Sequence, residues 1–304
     1  MAIYEEIDFR EHRATWGLDK FLQLTKNGHR PLVVRNAFNT ATTPDAVIAP
    51  KDCTIRYTTQ QIDFKTGHSY QPSTVRKYLT AIETAGEYYC SWGHSSMNDQ
   101  PDAVQAYREG AQSFLDRCGG GWDELIATFN TAAEPDFEGH FIAGNTTTPG
   151  VKTNNHFAFS VNHVFALFGE KTWYLCDPVK AMKSPLFTQF NPMEFAMAGT
   201  TEDYINLPYV ETMVLRAGDY FYNPPMIGHA VAMGEGKNAM LSIRSPTREF
   251  HLSPPLQPLL YRCVNVVRNI IHADTVRFRR WHELTPLFDN ELYGDGTPAV
   301  DRIK

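Results

Sequence analysis

Hydrophobic positions along this chain follow two different periods, and the change from one to the other divides it. Pro31-Leu32-Val33-Val34-Arg35 is an apolar run of strand length, and Ser73 to Thr84 carries a helical pattern. Val104, Tyr107, Ala111, Phe114, Leu115 and Cys118 recur at three- and four-residue spacing, which predicts a helix stopped by Gly119-Gly120-Gly121. Trp122, Leu125, Ile126 and Phe129 predict another short amphipathic turn or two. From Phe137 to Arg244 the texture becomes short aromatic and β-branched runs bounded by Gly, Pro and Asn, the pattern of an antiparallel sandwich or barrel. Within it Gly218-Asp219 reads as a turn, Tyr220 to Tyr222 as a strand, and Pro224-Pro225 as a break before a new strand at Gly228. Beyond Pro258, Leu259, Leu260, Cys263, Val264, Val267, Ile270 and Ile271 return to helical spacing, a stripe suited to core packing or to a homodimer surface. The expectation is a mainly β protein with flanking α-helices. Residues 1–255 form one barrel domain with N-terminal helical and strand elements, and 256–304 a helical extension that is a candidate dimerisation element.

Composition narrows the function classes. With 304 residues, 42% of them hydrophobic and 12% aromatic, the chain can bury a large core. A net charge of −6 and a pI near 6.0 offer no general attraction to nucleic acid or to anionic membranes, so neither is a favoured partner. Arg262, Arg268, Arg277, Arg279 and Arg280 read as a solvated face. The five cysteines never form a C-x-x-C pair, which argues against a disulfide framework or a thiolate zinc site and fits a reducing compartment. The acidic start MAIYEEIDFREHR is unlike a signal peptide, and no apolar run approaches spanning length, so a soluble cytoplasmic protein is expected.

The chemistry concentrates in two places. In Thr153-Asn154-Asn155-His156-Phe157-Ala158-Phe159-Ser160-Val161-Asn162, strand alternation puts His156, Ala158, Ser160 and Asn162 on one face and Phe157, Phe159 and Val161 on the other. A neutral imidazole lining a barrel mouth is a good ligand for a divalent metal. His229, between Gly228 and β-formers, is delivered to a strand start by the Pro224-Pro225 break. Trp92, Trp173 and the Tyr220/Tyr222 pair are able to stack on a substrate, although filling a core is their ordinary use; His68, His94, His140 and His163 read as packed or surface histidines.

In order, Arg30 to Arg35, Phe141-Ile142-Ala143-Gly144, Thr153-x-x-His156, Asn162, Gly169-x-Lys171-x-Trp173, Asp177-Pro178, Gly218-Asp219, the prolines and His229 resemble the JmjC and cupin-like Fe(II)/2-oxoglutarate oxygenases. The resemblance covers roughly Arg30 to Arg244 and implies a double-stranded β-helix, the jelly-roll or cupin barrel. It implies Fe(II), 2-oxoglutarate and O2, with His156 and His229 as metal ligands and Lys171 as the cation that pairs with the distal carboxylate of the cosubstrate. Thr153 and Asn162 become hydrogen-bonding partners of the cosubstrate. A tyrosine of the Tyr88-Tyr89 pair, carried here as Tyr89, adds a contact, and Arg244 stands where the family has a small polar or amide residue.

One position departs from that family. The carboxylate ligand normally follows two residues after the first histidine, and here that residue is Ala158. An open corner at Ala158 suits chloride, as in the non-haem iron halogenases, where a small residue likewise replaces the carboxylate. Water in that corner would instead leave a two-histidine hydroxylase, and loss of metal would leave a non-catalytic cupin-like binding protein. The expected activity is oxidation of a C–H bond in a small molecule or peptide, with chlorination favoured.

Overall fold

The computed structural model describes residues 2–42, 54–58, 71–74, 88–93, 101–129, 136–143, 150–156, 161–176, 204–224, 227–236 and 238–245. Thirteen strands among them form two sheets. The N-terminal part supplies β1 (Glu5–Asp8), β2 (Leu32–Arg35), β3 (Thr54–Thr58), β4 (Gln71–Thr74) and β5 (Tyr88–Gly93). The remainder supplies β6 (Asp136–Ala143), β7 (Gly150–His156), β8 (Val161–Phe168), β9 (Glu170–Cys176), β10 (Val210–Arg216), β11 (Tyr220–Asn223), β12 (Gly228–Met233) and β13 (Asn238–Ser245). The larger sheet has nine strands in the order β1-β2-β11-β8-β13-β6-β5-β3-β4, and the smaller has four in the order β10-β9-β12-β7. All pairings are antiparallel except the parallel β1–β2 pair.

Glycine sits where the chain changes sheets. Gly169 between β8 and β9, Gly218 between β10 and β11, and Gly236 between β12 and β13 all have positive φ. At Gly218 a side chain would also collide with the Phe38 carbonyl, 3.1 Å from an added Cβ.

Among the described residues four α-helices accompany the sheets: α1 (Phe9–His12), α2 (Leu18–Thr25), α3 (Pro101–Cys118) and α4 (Trp122–Phe129). Asp8 caps α1 by accepting the Arg10 N–H at 2.9 Å, and α2 ends at Lys26 in the left-handed region. The expected stop after α3 is present, with Gly119, Gly120 and Gly121 at φ 61°, 90° and 68°. Among the described residues no helix is long and apolar enough to cross a membrane.

Alternation along β8 builds two cores. Val161, Phe165 and Leu167 face the helices and pack with Phe21, Phe114, Trp122, Tyr220 and Tyr222, while Val164 and Ala166 face the smaller sheet and pack with Trp173, Leu175, Phe221, Val231 and Met240. The order of layers is therefore helices, nine-stranded sheet, four-stranded sheet. Trp122, 4.5 Å from Tyr220 and 5.8 Å from Phe165, locks α4 onto β8 and β11. Full burial of one such ring contributes on the order of 2–3 kcal/mol.

The strand reading of Phe137 to Arg244 and the two helices after residue 100 agree with these elements. The apolar run before Asn36 is likewise a strand, β2, and β1 to β5 extend the larger sheet. Two readings need correction. Ser73 and Thr74 open no helix; they end β4, paired with β3, and residues 75–84 lie outside the described residues. The run Thr153 to Asn162 is not one strand: β7 ends at His156 in the smaller sheet and β8 starts at Val161 in the larger. Alternation is a local signal and does not register a crossing between sheets. The helix expected beyond Pro258, with its dimerisation role, lies outside the described residues.

Candidate functional site

Between the two sheets the described candidate residues lie at different levels: pairing of β12 with β9 sets His229 opposite Leu175 and Lys171 opposite Met233, with Val231 and Trp173 between them. On the smaller sheet, His229 shares the inner face of β12 with Val231 and Met233, and Lys171 shares that of β9 with Trp173 and Leu175. Pairing places His156 of β7 directly opposite His229 of β12. A register shift between His229 and Val231 then brings Thr153 opposite Val231. Thr153 and His156, an odd number of residues apart, thus occupy positions across from two residues of one face, which simple alternation forbids and a β-bulge allows.

His229 is buried and held from behind. Its Nδ1 lies 3.0 Å from the Ile227 carbonyl, and its ring lies 5.1 Å from that of Trp173 at 33°. A carbonyl oxygen only accepts, so Nδ1 carries the proton and Nε2 keeps its lone pair, the tautomer a metal-ligating histidine needs. The Asn223 amide stands 3.5 Å from the same Nδ1.

Lys171 is the unusual group. Only 4% of it is exposed, and its Nζ has no hydrogen-bond partner among the described residues. Desolvation alone pulls its pKa down to about 7. A lysine in water-filled surroundings gives no such shift; this one lies on the inner face of β9. A buried amine lacking a carboxylate partner is costly unless a ligand supplies the anion.

The larger sheet contributes the opposite wall. Asn223 of β11 pairs with Asn162 of β8, and Asn162 with Arg244 of β13, in one row across the inner face. The next row contains Phe221, Val164 and Ser242. The Oδ1 atoms of Asn162 and Asn223 and the Ser242 Oγ are buried with no partner among the described residues. Tyr89 pairs with Ile142, which pairs with Asn238 on the face of Met240 and Ser242; Tyr88 pairs with Ala143 on the other face. Register therefore separates the two tyrosines where sequence did not.

Ala158 lies outside the described residues, and among those described no three His, Cys, Asp or Glu side chains converge on one point. Asp219, an acid near enough in sequence to consider as a further ligand, is committed elsewhere. Its carboxylate accepts Arg35 Nη1 at 2.5 Å and the Arg216 N–H at 2.9 Å, at the opposite end of β11 from Asn223. Tyr220 and Tyr222 face the helices and fill that core, so they do not border the space between the sheets. His163 lies beside them, its Nδ1 2.8 Å from the Tyr220 hydroxyl, and burial pushes its pKa down to about 3.

Sequence reading passed over Asn223 and Ser242. Nothing local marks an asparagine before Pro224 as more than a turn residue; its meaning comes from pairing with Asn162 and proximity to His229. Comparison of the chain with protein-family models yields no match, and comparison with curated proteins yields no significant relative.

Proposed function

We propose that this chain is an Fe(II)/2-oxoglutarate-dependent oxidoreductase on a double-stranded β-helix, acting on a substrate C–H bond with halogenation as its favoured reaction. The observation that carries the reading is the buried Lys171 amine, without a partner among the described residues, in the same inter-sheet space as His229, with His156 opposite that histidine in register. The alternation of strands supports the barrel. β6, β8, β11 and β13 lie in one sheet and β7, β9, β10 and β12 in the other, the interleaving expected of a jelly roll.

His156 and His229 would hold the metal, and Lys171 with Thr153, Asn162, Tyr89 and Arg244 would hold the cosubstrate. Iron with 2-oxoglutarate supplies oxidation of a C–H bond, coupled to decarboxylation of 2-oxoglutarate to succinate. The chain's own part is positional. The Ile227 carbonyl keeps the His229 proton on Nδ1, Trp173 fixes the ring plane, and the buried amine of Lys171 would neutralise a carboxylate. Ala158 withholds the anionic side chain that would complete a two-histidine, one-carboxylate set, and this leaves room for a halide.

Anaerobic addition of Fe(II) and 2-oxoglutarate should produce a visible charge-transfer absorption, and oxygen should then be consumed with release of succinate. Absence of both would sink the iron reading. Product masses from reactions with and without chloride decide the reaction: a chloride-dependent chlorine isotope pattern supports halogenation, and oxygen insertion regardless of chloride points to hydroxylation. Ala158→Asp should abolish chlorination.

A further inference from the structure

Asn223 ends β11 on the face it shares with Phe221, so its amide lies between the two sheets. It is 4% exposed, and one of its two polar atoms contacts His229 Nδ1 at 3.5 Å while the other is buried without a partner among the described residues. With the amide nitrogen toward His229 the contact is donor against donor, because the Ile227 carbonyl already requires Nδ1 to carry the proton. An amide turned by half a rotation has the same outline with oxygen and nitrogen exchanged. That orientation lets Oδ1 accept from Nδ1–H and turns both amide N–H groups toward the buried position that lacks a partner.

Two buried N–H donors require an acceptor. No described carboxylate offers one: Asp219 is held by Arg35, and Glu211 accepts the Ile3 N–H at 2.8 Å. The amine of Lys171 lies in the row of Met233, at the other end of β12 from His229, so the partner of these donors must reach the amide itself.

We propose that Asn223 anchors His229 through its amide oxygen and presents its amide N–H groups to a small anion, a halide or a carboxylate, held between the sheets beside that histidine. The proposal rests on the reading of His229 as a metal ligand. It makes Asn223 a positioning residue for the metal and a direct ligand of the anion, two roles that different substitutions separate.

The test uses the full chain loaded with Co(II) and 2-oxoglutarate, followed by its visible d–d spectrum and titrated with bromide or formate. Asn223→Asp keeps an acceptor for Nδ1–H but replaces the donors by a negative charge; it should retain or tighten Co(II) binding and weaken bromide binding at least tenfold. Asn223→Leu removes both functions and should weaken Co(II) by about 10- to 100-fold as well. Bromide-soaked crystals should show an anomalous peak within hydrogen-bond distance of the Asn223 amide nitrogen. A response to bromide identifies a halide site; a response to formate alone identifies a carboxylate site. Unchanged bromide affinity in Asn223→Asp overturns the anion role, as does an Asn223 amide donating to Asn162 Oδ1 with no bromide present. Unchanged Co(II) affinity in Asn223→Leu overturns the anchor. Failure of the unmodified protein to bind Co(II) overturns the metal reading and this proposal together.

Discussion

At the scale of single residues, Lys171 sets function against stability. Its amine is buried without a carboxylate among the described residues, and its pKa falls from 10.5 to about 7 through desolvation. Between about pH 7 and 10.5 the unfolded chain therefore binds a proton at this residue that the folded protein lacks. Stability rises with pH through that window, and below it the folded state carries the full cost of the charge. Lys171→Met, which fills similar volume without charge, should make the ligand-free protein about 2–4 kcal/mol more stable at pH 7 in chemical denaturation and should remove that pH dependence. The same variant should lose binding of 2-oxoglutarate in calorimetry. In the unmodified protein an anion against Nζ restores the proton, so above about pH 7 binding should take up a proton and weaken by up to tenfold per pH unit. A Lys171→Met protein that binds 2-oxoglutarate normally would remove the lysine from the site.

At the scale of elements, the connections hold the layers in place. Gly120, between α3 and α4, has φ 90°, and a Cβ there would come within 3.1 Å of Phe9 Cζ, in the aromatic cluster of Phe9, Trp16 and Trp122. Gly119 has φ 61° with open space around it. Gly119→Ala should cost about 1 kcal/mol from backbone conformation alone, and Gly120→Ala about 2–3 kcal/mol because the ring must also shift. Chemical denaturation of the two variants measures the difference; equal losses would mean that the Phe9 contact carries no weight. The bulge opposite β12 has a comparable role for the site, since it admits Thr153 and His156 to positions facing one side of the smaller sheet.

At the scale of the molecule, one guanidinium ties the N-terminal strands to the smaller sheet, beside the pairing of β2 with β11 in the larger. Arg35 Nη1 donates to Asp219 Oδ2 and to the Val214 carbonyl, each at 2.5 Å, and Nη2 to Glu6 Oε2 at 2.8 Å, joining β1 and β2 to β10 and the turn after it. Arg35→Met should cost about 2–4 kcal/mol, chiefly by stranding the nearly buried Asp219 carboxylate. The double substitution Arg35→Met with Asp219→Asn should recover much of that loss in urea denaturation. If it recovers nothing, the coupling lies in the packing of β2 and not in the charge.

The sequence by itself marked β2, the strand-rich stretch from Phe137 to Arg244 with its turn at Gly218-Asp219, and the helices α3 and α4 with their glycine stop, while His156, His229 and Lys171 were singled out through the family resemblance. Those signals are local: a period of two or of 3.6, a glycine, a proline. The N-terminal α1 and α2 and the pairing of β1 to β5 were not legible, because short amphipathic segments take their state from the surface they cover. Only the tertiary structure decided which sheet each strand joins, and so split Thr153 to Asn162 between two sheets, set His156 opposite His229, and separated Tyr88 from Tyr89. It also showed Lys171 to be buried and brought Asn223 beside His229. Cross-strand register and burial depend on residues far apart in the chain, and no window along the sequence contains them.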